Sequence, residues 1–408
     1  MNSNIYVCSI AMKLLLFRKI HIGGWEIALP VLLWIILAIV ATLSEVLRGF
    51  ESINNYLIFK GVFWHSIQYQ HLYNEYPAEY FDSNHYGPSF SLLIAPFAWM
   101  NVYVGCFLWC MANAFLLLFA VQQLPVNERK QQIILLVGVI EMMTSVHNVQ
   151  FNPMLTAWII LSYTMIQKEK DFWATLFIAA GLLVKLYGVV GIAFFWFSKH
   201  KIKFVLSFIF WLAVLFCLPM LISSPAFVIQ SYKDWYASLS EKNAKNAFAE
   251  ANNFMQDISV LGMIRRIFNI QQLKNFYITV PVALLYALPF FRWKQFKYIG
   301  FQLSYLALAL IGVVIFSTSA ESATYVIAML GVSIWYILQN TQNKATHYLL
   351  ILALLFTSLS ATDLFPEYIR INFIRPYSLK ALPCFLVWLV LVYQLIKKDF
   401  STVKLNYE

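Results

Sequence analysis

Runs of apolar residues close to bilayer length recur along this chain from Trp25 to Ile396. An α-helix rises about 1.5 Å per residue, so about 20 apolar residues cross the hydrocarbon layer. Apolar segments stand at 24–43, 88–100, 103–124, 131–146, 153–167, 171–184, 186–198, 204–222, 276–291, 296–316, 324–340, 345–361 and 381–396. Charged residues make up only 12% of the chain, about half of what a soluble domain carries, and mean hydropathy is +0.68. The reading is an all-α polytopic membrane protein. Its 408 residues leave little room for a separate soluble domain, so 1–408 reads as one integral membrane domain.

The net charge of +10 does not point to nucleic acid, because Lys and Arg cluster at span ends, as loops on the cytoplasmic side do. By that rule 127–130, 168–170, 199–203, 292–297 and 397–398 are cytoplasmic. The far side then holds 44–87, 147–152, 185–188, 223–275, 317–322 and 362–382. Between 44–87 and Asn127 the chain must cross an odd number of times, yet two apolar segments lie there. The 88–100 segment would reach only about 20 Å as a helix and contains Pro88 and Pro96. It reads as a short or re-entrant helix, leaving about twelve true spans; the alternative is that Arg129 and Lys130 break the rule. The first span reads as a signal anchor with its N-terminus in the cytoplasm, since it is too long for a cleaved leader. Lys13, Arg18, Lys19 and His21 precede it. Of the five cysteines, Cys8 precedes that span and Cys106, Cys110, Cys217 and Cys384 lie in or beside apolar segments. Packing explains them better than metal or disulfides.

The first external loop, 44–87, carries acids, bases, His65, His71, His85 and many aromatics. A chain that only packs helices has no use for it. An amphipathic helix opens the loop and would lie in the interface plane. Ile53, Tyr56, Leu57, Phe63, Trp64 and Ile67 form its apolar arc; Glu51, Asn54, Asn55, His65 and Gln68 form the other. Lys60 falls inside the apolar arc, where it either snorkels or meets a lipid phosphate. Tyr73, Glu79, Asp82, His85 and Tyr86 follow, before Pro88 opens the next helix.

Lys185 has no charged neighbour within thirteen residues on either side. A lysine in such surroundings is either a snorkelling hairpin tip or a counter-ion for a phosphate at the membrane surface. His147, Gln150 and Asn152 form a second polar tip, suited either to sugar hydroxyls or to closing the turn. The second external loop, 223–275, contains Lys233, Asp234, Lys242, Lys245, Asn253, Gln256, Asp257, Arg265 and Arg266. Basic charge on that side suggests an anionic ligand, with a solvated loop as the plain alternative. Glu321 reads as solvated, with substrate contact the lesser option. Arg370, Arg375 and Lys380 in the third external loop, 361–383, either clamp a lipid headgroup or pack over the bundle. The short turns at 147–152 and 185–188 share their side with the long loops. Polar turns at membrane depth are tolerated only where they are buried or line a cavity.

The sequence holds no P-loop, GxGxxG, HExxH or GxSxG. Several pieces, in order, resemble glycosyltransferase family 87, polyprenol-phosphate-sugar-dependent membrane enzymes of the type C fold. Asn55-Tyr56-Leu57-Ile58-Phe59 stands where the family has Asp-aromatic-x-aliphatic-Tyr. Leu72-Tyr73, Tyr86-Gly87-Pro88 with Ala95-Pro96, Gln150-Phe151-Asn152, and Gly181 with Lys185 and Gly188 match further motifs. Gln256-Asp257-Ile258-Ser259 with Gly262 and Arg265 resembles a loop segment, and 362–383 resembles a Bacteroidetes branch.

That resemblance implies an inverting hexosyltransferase, with mannose the first candidate sugar. Its partners would be a polyprenyl-phosphate sugar donor, a lipid or glycan acceptor and membrane lipid; no cofactor or metal is expected. The site would face the periplasm from the cytoplasmic membrane. A first-loop carboxylate would act as base, and basic residues would hold the departing phosphate. Asn55 occupies the family's Asp position, and an amide cannot take a proton. Either the base has moved to Asp82, Glu51 or Glu79, or Glu51 is the true equivalent, or the chain only binds lipid. Relocation is preferred, with Asp82 ahead of Glu51. Lys185, Arg265 and Lys60 would hold phosphate. Asn55, His85, Gln150 and Asn152 would touch sugar or acceptor, with Tyr86, His147, Tyr187 and Gln256 nearby. A transporter or flippase is the competing class, but it would want midplane charges and an internal repeat, and no repeat is visible.

Overall fold

The computed structural model describes residues 17–248, 255–270, 273–340 and 343–402; Cys8, Lys13 and Asn253 lie outside them. The protein is mostly helical and membrane-type. Five helices are long and apolar enough to cross a bilayer: Leu29–Arg48, Val102–Gln122, Lys201–Leu221, Phe276–Gln295 and Lys344–Ala361. Shorter apolar helices run Asp171–Val184, Leu186–Phe197, Ile299–Ile315, Ser322–Ile337 and Ala381–Lys397.

Burial sorts the helices into inner and outer sets. Asn152–Gln167, Ile299–Ile315 and Tyr325–Ile337 are buried on nearly every side. Val102–Gln122 packs on the first of these, and Glu128–His147 on the third. Phe276–Ala287 has no buried residue, and Lys201–Cys217 has only Phe204 and Ser207. A helix that is apolar all round and uncovered by protein has lipid as its natural solvent.

Several expectations are corrected. The first span begins at Leu29, not Gly24, because Gly23 and Gly24 take left-handed φ (+54° and +88°) and turn a hairpin that pairs Lys19–Ile22 with Trp25–Ala28. It then continues to Arg48, so 44–48 is helix rather than loop. The 88–100 segment forms only the nine-residue helix Phe90–Ala98, about 13 Å long. The 223–275 segment is largely helical, as Pro225–Phe248 and Val260–Phe268. The Asn54–Gln68 helix is packed against Phe90–Ala98 rather than lying free at the interface. Its His65 is only 2% exposed and bonds Glu79 at 3.1 Å, because the 76–80 segment folds over that face and lays Tyr80 against Gly61.

Candidate functional site

Two backbone approaches build the site. Asp171–Val184 and the 3₁₀ helix Leu186–Phe197 meet where Gly181 and Gly188 touch backbone to backbone, so a Cβ on either would overlap the other residue. That contact closes the turn and sets Lys185 at its tip, in extended backbone. Gly87 then docks on the same turn. Its N–H donates to the Val184 carbonyl at 3.0 Å, and an added Cβ would overlap the Leu183 carbonyl. The 82–88 segment is thereby fixed over Lys185.

Side chains complete the frame. Asn54 clamps Phe81 by two bonds of 2.7 Å, its Nδ2 donating to the carbonyl and its Oδ1 accepting from the N–H. Asp82 follows in a left-handed conformation, φ +75°, which Asp tolerates better than most residues. Its exposed carboxylate accepts only the Ser83 N–H, at 2.8 Å, among the bonds of the described residues. Trp235 from the Pro225–Phe248 helix donates to the His85 carbonyl at 3.0 Å. Tyr86 donates to Gln150 Oε1 at 3.2 Å.

The result is one cavity of about 840 Å³. Asn55, Asp82, His85, Tyr86, Gln150, Lys185, Tyr187 and Gln256 all line it. Part of its wall is apolar and includes Leu186, Val189, Val313 and Phe316. Lys185 Nζ donates to Asn152 Oδ1 at 2.7 Å and lies 5.4 and 5.3 Å from the Tyr86 and Tyr187 ring centres. Among the described residues it has no carboxylate within salt-bridge distance. Burial pulls the His85 imidazole far down, to about 3; Lys242 adds to this and Glu321 opposes it. His85 is therefore a neutral hydrogen-bonding group near neutrality, and the cavity's cations are Lys185 and Lys242.

Five expected residues lie elsewhere. Glu51 sits in the turn before the Asn54–Gln68 helix, so it shares no helical face with Asn55. Lys60 points the other way and donates to the Met100 carbonyl at 3.3 Å, past the end of the Phe90–Ala98 helix. His147 pairs with the buried Glu45 at 2.8 Å. Asn152 is 1% exposed and holds Lys185 and the Ala323 carbonyl, so it positions rather than touches. Arg265 is buried, paired with Asp257 at 3.1 Å and bonded to Leu273 and Asn275, which engages four of its five N–H donors. In the 361–383 segment, Arg370 bonds Thr362 and Asp363. Lys380 is buried against Glu141 at 2.8 Å and donates to Ser322 at 2.9 Å. Neither is free to clamp a headgroup.

Two residues weigh more than their sequence context suggested. Lys242 and Glu321 both line the cavity and lie 3.5 Å apart. Glu321 also accepts from Gln256 at 3.1 Å and caps the short turn at 322–324. The polar run Ser317–Glu321 between two apolar segments was its only sequence signal. Among the described residues lining the cavity, Asp82 and Glu321 are the carboxylates.

Comparison with curated proteins gave no match. The model of glycosyltransferase family 87 matches residues 84–362. That span begins two residues after Asp82 and takes in Lys185, Lys242 and Glu321. With about two thirds of its length matched, the chain belongs to glycosyltransferase family 87.

Proposed function

We propose that this membrane glycosyltransferase moves a hexose, with mannose the first candidate, from a polyprenyl-phosphate sugar to a lipid or glycan acceptor. Transfer is inverting and takes place on the periplasmic face of the cytoplasmic membrane, in a type C fold of about twelve spans. The observation carrying this reading is one cavity that joins a lysine without a carboxylate partner, a lightly engaged carboxylate and an apolar wall.

In the proposed step, Asp82 takes the proton of an acceptor hydroxyl. The acceptor oxygen bonds to the anomeric carbon as the bond from that carbon to the phosphate oxygen breaks. The electron pair leaves on the lipid phosphate, which goes from one negative charge to two. Lys185, with Lys242 beside it, meets the added charge. Asn55, Gln150 and Gln256 offer amide groups to sugar hydroxyls. Leu186, Val189, Val313 and Phe316 suit the first isoprene units. Asp82 is preferred over Glu321 as base because Glu321 already accepts from Gln256 and from the backbone it caps.

The test is a transfer assay in membranes with polyprenyl-phosphate mannose and polyprenyl-phosphate glucose. Asp82→Asn is a clean probe, since Asn also tolerates a left-handed φ. It should lower kcat by about 10²–10⁴-fold, the span of general-base catalysis, while Lys185→Ala should lower kcat and raise the donor KM. Full activity in Asp82→Asn with loss in Glu321→Gln would move the base to Glu321. No transfer by wild type from either donor would remove the donor assignment.

A further inference from the structure

A second recess, about 500 Å³, opens beside the cavity. It lies between the 71–85 segment and one face of the Pro225–Phe248 helix, where Asp234, Ser238, Glu241 and Lys245 follow at helical spacing. Asp82, Ser83, His85, Lys242 and Gln256 line both spaces, so Asp82 stands at the boundary. The two differ in chemistry. Among the described residues lining the recess, Ala237 is the sole aliphatic one, so it offers nothing to a prenyl chain.

The recess is also more acidic than the cavity, where Lys185 and Lys242 are matched by Asp82 and Glu321. Four carboxylates (Glu75, Asp82, Asp234, Glu241) face two lysines, Lys242 and Lys245. Lys245 pairs with Glu241 at 2.8 Å, and Lys242 reaches Glu321 at 3.5 Å, in the neighbouring cavity. Asp234 pairs with His71 at 3.2 Å. Among the described residues, Glu75 and Asp82 have no salt-bridge partner. The cavity thus presents a lysine without a carboxylate partner, and the recess presents two carboxylates, Glu75 and Asp82, without a salt-bridge partner. An anion entering the recess would meet like charge. A ring of hydroxyls would meet carboxylates, amides and a neutral imidazole, all suited to binding it.

We propose that this recess is the acceptor subsite and that the acceptor's reacting end is an uncharged sugar of a glycan, not a lipid phosphate or an acidic sugar. The proposal rests on the glycosyl-transfer reading for its role. The acceptor hydroxyl gives its proton to Asp82 from the recess side. Its oxygen bonds to the anomeric carbon held on the cavity side, and the carbon–phosphate-oxygen bond breaks with its electron pair on the lipid phosphate.

Binding can be read without turnover, by saturation-transfer NMR on the full chain in lipid nanodiscs with no donor present. The probes are methyl mannoside, methyl glucoside and a neutral disaccharide against glucuronate and mannose 6-phosphate, with a short-chain prenyl phosphate as competitor. The neutral sugars should give signal and the anions at least about fivefold less, as like-charge repulsion requires. Ser238→Trp fills the recess without changing charge and should abolish the neutral signal. The pair Glu75→Lys with Glu241→Lys should invert the order of preference. The assignment falls if the anions match the neutral sugars in wild type, if neither class binds, if Ser238→Trp leaves the signal intact, or if prenyl phosphate displaces the sugars from the recess. Retained sugar binding with no transfer from any polyprenyl-phosphate sugar would instead sink the donor assignment and leave the recess a sugar site.

Discussion

Asn55 donates its side-chain amide to the Asn148 carbonyl at 2.7 Å, and that bond explains the residue better than a lost carboxylate does. A carboxylate there would face the carbonyl oxygen with no hydrogen between them. Asn55→Asp should therefore lower the transfer rate and cost about 0.5–1.5 kcal/mol of stability, the net worth of a hydrogen bond within reach of water. Thermal unfolding and the transfer assay check both; a rise in rate would make position 55 the base after all. His85 gives a pH test. Its folded value is about 3 against 6.5 for the free side chain. Between those values the unfolded chain holds a proton that the folded chain does not, so stability rises with pH across that window. It is lost as pH falls below about 6.5. The unfolding temperature of wild type should drop from pH 7 to pH 5, and His85→Gln should show a shallower drop. Equal slopes in the two proteins would mean that His85 binds its proton as readily in the fold as in the unfolded chain.

The Lys185 turn and the 82–88 segment act as one element because glycines let their backbones touch. Gly87→Ala would push a Cβ into the Leu183 carbonyl. Such overpacking costs about 1–3 kcal/mol, and here its cheapest relief is to lift the 82–88 segment off Lys185. Transfer should fall by about 10²-fold, the cost of misplacing a reacting group by about 1 Å, while the unfolding temperature shifts by a few degrees. A variant that loses stability but keeps its rate would show that this docking does not set the site. These glycines, with Tyr86, stood out in the sequence through their match to the family's motifs, and Lys185 also through its isolation among apolar residues. The Pro225–Phe248 helix was not. Its buried residues include Val228, Ser231 and Trp235, too sparse an apolar face to stand out from a polar loop. Arg265 misled for a related reason, since its partner Asp257 is eight residues away and only the Val260–Phe268 helix folds the two together.

The apolar runs gave the membrane class, but not which helices meet lipid and which meet protein, because both surroundings select the same side chains. Ile299–Ile315 and Phe276–Ala287 read alike along the chain, yet one is buried almost throughout and the other nowhere. The uncovered helix also supplies Thr279 to the cavity wall, so the cavity reaches the lipid-facing set. The distinction predicts different costs for one substitution. Leu308 is fully buried, and Leu308→Ala should cost about 2–5 kcal/mol through the void it leaves. Leu284 is 64% exposed, and Leu284→Ala should stay within about 0.5 kcal/mol. Leu284→Asp separates lipid from water as the neighbour of that face. In a bilayer it should oppose insertion by about 2.5–3.5 kcal/mol, seen as reduced membrane yield and faster proteolysis of the 276–295 region. If Leu284→Asp inserts and unfolds like Leu284→Ala, that helix face looks onto water, and the lipid-side end of the cavity must be sought at another wall.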